Sequence, residues 1–348
     1  MLIFLYLIAL LACFIFLARI VDLFFISSLD RISHDLRLTN DAAGATLMAA
    51  GSSAPELFVA LFAVLRPGGH QVIGIGSIVG SALFNLLVIV GIVAMIKNSK
   101  LTWQPMIRDL IFYLVAVSLL IWGIMDNRFS ISEALVFIIV YLVYILAVAF
   151  WKRILPYRDE KRNSVETYPK KKPVGFIRIF DKLTGYLFPP DKYYYLIFFI
   201  SIVLIAGVSW ALVELAIKIS VILNIPESVI ALTVIAAGTS VPDLFASVIV
   251  AKQGRGDMAV SNAIGSNIFD ILMGLGFPFL ISMSIYGTGI EVSTENLLYS
   301  SVILLASVLL LLAMLVGSRW RVNKVSGVVL LGLYLFYVVH EIIKLYLT

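Results

Sequence analysis

The sequence predicts an all-α membrane protein, with ten transmembrane helices arranged as two inverted five-helix repeats. Three observations carry this prediction. The composition is too apolar for a water-soluble core, ten apolar runs have membrane-spanning length, and one motif occurs twice with five runs in each half.

Of the 348 residues, 61% are hydrophobic and 14% charged, with a mean hydropathy of +1.04. Soluble domains average about 45–50% apolar and about 25% charged residues. A chain this apolar has membrane lipids as its surroundings. The net charge of +5 does not indicate a nucleic-acid partner, because the basic residues lie in loops between apolar runs, as membrane topology requires. The single cysteine, Cys13, excludes an intramolecular disulfide framework and reads as an ordinary residue of a first membrane helix.

Runs of about 20 apolar residues mark spans. The first half has Leu2–Ser27, Asp41–Leu65, Val72–Ile96, Ile107–Met125 and Ile131–Trp151. The second has Tyr193–Ile219, Glu227–Lys252, Met258–Tyr286, Asn296–Gly317 and Val325–Leu347. Residues 1–151 thus form a first repeat and 193–348 a second. Between them, 152–192 is a polar, basic loop carrying Lys170-Lys171-Lys172. With that loop inside, twenty-one of the 26 Lys and Arg fall in or beside inside loops. The positive-inside rule then places the central loop in the cytoplasm and both termini outside, in the cell membrane.

The repeat is read directly. Thr46-Leu47-Met48-Ala49-Ala50-Gly51-Ser52-Ser53-Ala54-Pro55-Glu56-Leu57-Phe58 matches Thr233-Val234-Ile235-Ala236-Ala237-Gly238-Thr239-Ser240-Val241-Pro242-Asp243-Leu244-Phe245. Val79-Gly80-Ser81-Ala82-Leu83-Phe84-Asn85 matches Ile264-Gly265-Ser266-Asn267-Ile268-Phe269-Asp270. An odd number of spans per half forces the two copies into opposite orientations, the plan of many secondary transporters with a binding site at the repeat interface.

Pro55 and Pro242 lack an N–H, so each interrupts its helix and leaves a carbonyl without its helical donor. Gly51 and Gly238 ease the unwound turn. Such backbone is tolerated at membrane depth only where protein buries it or it lines a cavity. A kink with local hydroxyl bonds would be unremarkable on its own. Carboxylates change the balance: of 21 acids, Glu56, Asp243 and Asp270 are read as lying well inside spans, with Asp22 and Glu214 nearer the ends. Each charged side chain at the membrane centre costs roughly 2.5–3.5 kcal/mol on insertion scales, so these acids need a proton or a cation. Hard cations such as Ca2+ take oxygen ligands, and the motifs contain no His or Cys that would suit Zn2+ or Cu. The histidines, His34, His70 and His340, fall in loops or near span ends and read as solvated. Small-residue strips, clearest at Gly76–Gly80 and Ser261–Gly265, let neighbouring helices approach closely. They bring Ser81, Asn85, Ser266 and Asp270 toward the same cavity.

The stretches 45–58, 72–87, 237–250 and 256–272 resemble the two alpha repeats of the calcium/cation antiporter superfamily, most closely the potassium-dependent sodium/calcium exchangers. The resemblance implies a secondary antiporter that exchanges Na+ for Ca2+ by alternating access, with no cofactor. It implies Ca2+ ligands at Glu56, Asp243, Ser52 and Thr239. Na+ ligands would be Ala49, Ser53, Ser81, Asn85, Ala236, Ser240, Ser266 and Asp270. Spans one and six would slide against the rest. Asp270 is also the implied K+ residue: three ionised carboxylates are balanced by Ca2+ plus one monovalent cation, and either K+ or a proton on Asp270 meets that need. A proton/calcium exchanger of the same superfamily is the nearest alternative, although the paired hydroxyls suit Na+ better. A cation channel would need a continuous pore. An intramembrane aspartyl protease would use Asp257 and Asp270 and leave Glu56 and the repeat unexplained.

Overall fold

The computed structural model describes residues 2–36, 49–96, 98–156, 185, 187–252, 254, 256–287, 289–292 and 295–347. Most of the loop expected at 152–192, and Thr46–Met48 of the first motif, lie outside the described residues.

Apolar sequence folds as helix almost throughout, since a helix satisfies its own backbone where no water is present. Helix α1 (Leu2–Ile20) runs through a π-helical turn at Val21–Phe25 into α2 (Ile26–Asp35). Helices α3 (Ala49–Ser52) and α4 (Ala54–Leu65) follow. Next come α5 (Gln71–Leu83), a π-helical stretch at Phe84–Ile89, and α6 (Val90–Ile96). Helices α7 (Trp103–Ile124) and α8 (Ile131–Ile154) close the first half. Ser130 starts α8 with a capping box, its backbone N–H donating to Glu133 at 2.7 Å. The second half has α9 (Tyr194–Leu223), then α10 (Glu227–Ile230), a π-helical turn at Ala231–Ile235, α11 (Ala236–Thr239) and α12 (Val241–Lys252). Helices α13 (Gly256–Tyr286), α14 (Glu295–Gly317) and α15 (Lys324–Leu347) complete it.

Among the described residues, eight helices are long and apolar enough to cross a membrane. A ninth span results if Glu227–Thr239 and Val241–Lys252, bent by 44°, form one. Of the expected span Asp41–Leu65, only the part from Ala49 is described.

Among the described residues, four two-residue strands interrupt the helical pattern. Strand β1 (Ser99–Lys100) pairs antiparallel with β4 (Arg321–Val322), and β2 (Arg128–Phe129) pairs with β3 (Ile290–Glu291). Each ribbon clips a loop of one half to a loop of the other. Counting the ten expected spans from either terminus puts both loops of each ribbon on the same membrane side.

Among the described residues, buried apolar side chains fall into two clusters. The larger joins α5–α8 to α13–α15, with Tyr113, Phe137, Leu272, Phe279 and Tyr337 at its centre. The smaller packs α1, α2 and α9 over the flank of α4 and α10, through Leu17, Ile20, Phe25, Ile205, Leu212 and Val59. At the base of this second unit, Phe24 stacks on Phe188 at 3.7 Å and Arg31 pairs with Asp191 at 3.5 Å.

Candidate functional site

The two broken helices share one local geometry. Ser53 has φ −91° and ψ 4°, and Ser240 has φ −84° and ψ 0°, between helical segments on either side. In both, the serine N–H still reaches back one turn, to Ala49 O at 3.1 Å and to Ala236 O at 3.2 Å. Helix resumes with Pro55 or Pro242 in its first turn, where the missing N–H would be unpaired anyway. Each break faces a bulky side chain of the smaller unit: a Cβ on Gly51 would strike Leu29, and one on Gly238 would strike Phe14.

The expected ligands converge. Glu56, Asp243 and Asp270 are each 3% exposed or less, and Ser53, Ser81, Asn85, Ser240 and Ser266 are fully buried. Ser52, Thr239, Ala49 and Ala236 are buried beside them. Ser81 Oγ donates to Glu56 Oε1 at 3.1 Å and lies 2.5 Å from Ser240 Oγ. Ser52 Oγ lies 3.2 Å from Ser266 Oγ. Ala49 O accepts from Ser52 Oγ at 3.3 Å. Ala236 O accepts from Thr239 Oγ1 and Ser81 Oγ, both at 3.3 Å. Ser52 and Asn85 also neighbour the Asp243 carboxylate, and Ser53 neighbours Asp270.

The unsatisfied atoms decide what this site is built for. Glu56 Oε2, Asp243 Oδ1, both carboxylate oxygens of Asp270, Asn85 Oδ1 and Ser53 Oγ are buried without a hydrogen-bond partner. Buried polar atoms are normally paired, and every atom in this set is an oxygen. That donor set fits a hard cation. Among the described residues no three His, Cys, Asp or Glu side chains group into a metal site, so hydroxyl, amide and carbonyl oxygens must complete any coordination shell.

Comparison with known proteins agrees with this chemistry. A family model described as "Sodium/calcium exchanger protein" matches residues 6–150 and 193–343. This chain belongs to that family. It is a membrane exchanger of Na+ and Ca2+ and not an enzyme, so the protease reading falls. The chain is similar to human sodium/potassium/calcium exchanger 5, at 31% identity over 92% of this chain and 79% of that one. It is also similar to human sodium/potassium/calcium exchanger 4, at 27% identity over 94% of this chain and 79% of that one. Among solved structures, the sodium-calcium exchanger NCX_Mj soaked with Na+ and Sr2+ matches with a TM-score of 0.61. Its identity is 25%, covering 97% of this chain and 98% of that chain.

The structure also shows groups that sequence reading missed. The span expected from Ile107 puts Arg108 and Asp109 at its very start, and Asp109 is not among the membrane acids named above. Helix α7 begins earlier, at Trp103, and buries both in its second turn. Arg108 Nε meets Asp109 Oδ1 at 2.8 Å, with Tyr144 OH at 3.1 Å and Ser261 Oγ at 3.3 Å from the same carboxylate. Glu341 of α15 is buried too. Asp22 and Glu214 lie toward helix ends, paired with Arg19 at 3.7 Å and Arg66 at 3.1 Å. His70 is not simply solvated: its Nδ1 lies 2.9 Å from Glu227 Oε1. Asn267, absent from the expected set, sits one turn before Asp270 and bonds Asn85. Its spacing of three residues from Asp270 was the available signal.

Proposed function

We propose that this exchanger holds Ca2+ and Na+ in turn on one shared set of oxygens, with Glu56 and Asp243 as the carboxylates that both ions need. The observation that carries this reading is the set of buried, unpartnered oxygens contributed by both broken helices and their neighbours. Ser52 and Thr239 join the two carboxylates around Ca2+. Ala49, Ser53, Ser81, Asn85, Ala236, Ser240, Ser266 and Asp270 line the flanking Na+ positions. Because the carboxylates are shared, Na+ entry displaces Ca2+, and exchange follows without a common open state.

Two inverted repeats, 1–151 and 193–348, supply the ten spans, with the broken spans at the centre. Support comes from the matching break geometry and from the family model, which matches once on either side of the central loop. The two ribbons add to it: exchanging the halves converts β1·β4 into β3·β2. Charge places the loop 152–192 in the cytoplasm and both termini outside, with the chain in the cell membrane. Thiol labelling of a cysteine placed in that loop from outside intact cells would overturn this topology.

Alternating access then requires one body to move. The unit of α1, α2 and α9 meets the remainder through mostly apolar side chains, with the Arg66–Glu214 pair and the Ser209–Pro55 hydrogen bond as the few directional contacts that sliding must exchange. We assign K+ co-transport to Asp270, whose two carboxylate oxygens are unpartnered. With three carboxylates ionised, Ca2+ alone leaves one uncompensated buried charge, which is costly. Na+-driven Ca2+ flux, measured with and without K+ on the Ca2+ side, tests this. Flux indifferent to K+ would replace K+ by a proton on Asp270.

A further inference from the structure

A polar chain behind Asn85 has no part in the ligand set above, yet it settles how Asn85 is used. A backbone carbonyl can only accept a hydrogen bond. The end of Asn267 that lies 3.1 Å from Ala82 O is therefore its NH2 group. The same nitrogen lies 2.9 Å from Tyr113 OH, whose own proton is directed to Ala82 O at 3.4 Å. With its nitrogen held there, Asn267 presents Oδ1 to Asn85, whose Nδ2 lies 3.0 Å away. The Asn85 amide is thereby oriented, and its Oδ1 is left buried without a partner. Reversing Asn85 would set oxygen against oxygen at Asn267, and again at the Asp243 carboxylate that its NH2 group now neighbours.

We infer that Tyr113 and Asn267 are positioning residues that fix which end of the Asn85 amide faces the transported cation. Ala82 O and the Tyr113 hydroxyl hold Asn267, and Asn267 holds Asn85 with its oxygen free. All three side chains are fully buried, so no water competes for their bonds. Tyr113 lies on α7, outside both copies of the repeated motif, and its hydroxyl meets Asn267 Nδ2 and Ala82 O. The inference rests on the ligand site proposed above.

The test uses the full-length protein purified in detergent, with the thermal unfolding midpoint followed against Ca2+ concentration. Tyr113→Phe removes the hydroxyl and keeps the ring. The apparent Ca2+ affinity should fall by about threefold to tenfold, the range of one net hydrogen bond. Maximal Na+-driven Ca2+ flux in proteoliposomes should stay within about twofold of wild type, because only binding is altered. In an Asn85→Ala background, Tyr113→Phe should produce no further shift, since the oriented amide is gone. Wild-type affinity in Tyr113→Phe, or an equal shift on top of Asn85→Ala, would overturn the inference. If Tyr113→Phe does not yield folded protein, Asn267→Leu is read in the same cycle with the same two outcomes. Glu56→Gln separates the layers: a Ca2+ response that survives it contradicts the site itself. Its loss, with Tyr113→Phe unaffected, contradicts only the positioning role.

Discussion

The helix from Gln71 to Ile96 and the helix from Gly256 to Tyr286 carry the same motif, yet they treat its last residue differently. In the first, the helix loosens into a π-helical stretch over Phe84–Ile89, which contains Asn85. In the second, α-helix continues without a break past Asp270. Asn85 has its nitrogen tied to Asn267, whereas Asp270 has both oxygens free of partners. Two halves that share a backbone plan thus differ by one formal charge at equivalent places. On the proposed site, the shared architecture sets where ions would sit, and one amide-for-carboxylate exchange sets how much charge they would have to bring.

The largest expected effect comes from breaking what the halves share. Glu56→Gln or Asp243→Asn deletes one of the two carboxylates proposed to pair with Ca2+, and breaking a buried pair of opposite charges costs about 3–5 kcal/mol. Ca2+ transport in proteoliposomes should fall at least about a hundredfold in either variant, while size-exclusion profiles remain monodisperse. Wild-type rates would remove these residues from the site.

Asp270→Asn sharpens the comparison by making the two halves alike. It should leave Na+-driven Ca2+ flux measurable but indifferent to K+. K+ dependence that persists in this variant would keep the activity and dismiss the residue from its role.

A smaller effect is expected from the close approach that brings Ser81 to the second broken helix. A Cβ on Gly80 would lie 2.6 Å from Ala236 Cβ and closer still to Leu232 O. Gly80→Ala should lower stability by about 1–3 kcal/mol, the usual range for overpacking, seen as a lower unfolding midpoint. Gly207, where a Cβ meets nothing within 4 Å, is the control and should tolerate alanine.

The smallest effect belongs to the outer ion pair of Arg66 and Glu214, which ties α9 to the end of α4. Arg66 is 45% exposed in its side chain, so the pair contributes at most about 1 kcal/mol. Glu214→Gln should change transport rate by less than about fivefold, and added salt should shrink the difference. A larger loss would mean that this pair, and not the apolar contact beneath it, holds the moving unit.

Much of this was legible in the sequence because membrane spans and repeats are patterns of residue type. Hydropathy gave the long helices, and the doubled Gly-x-x-x-Pro-acid pattern gave both breaks and two carboxylates that the fold buries beside them. The helix start at Trp103 was misplaced because Arg108 and Asp109 look like loop charges until they are seen to neutralise each other inside the bundle. The ribbons were illegible because two residues carry no period. Tyr113 was illegible for a deeper reason: an aromatic residue in an apolar span announces burial, and only the fold shows that its hydroxyl meets Asn267. The orientation of the Asn85 amide follows from a bond to another half of the chain, which no local pattern encodes.

The central claim is that Na+ and Ca2+ occupy the same carboxylates in turn. It is tested most directly by uptake of radiolabelled Ca2+ into proteoliposomes loaded with Na+, K+ or protons in turn, with external Na+ varied. Uptake should require internal Na+ and fall as external Na+ rises, in a manner that added Ca2+ reverses. Uptake driven by a proton gradient and indifferent to Na+ on either side would contradict the account.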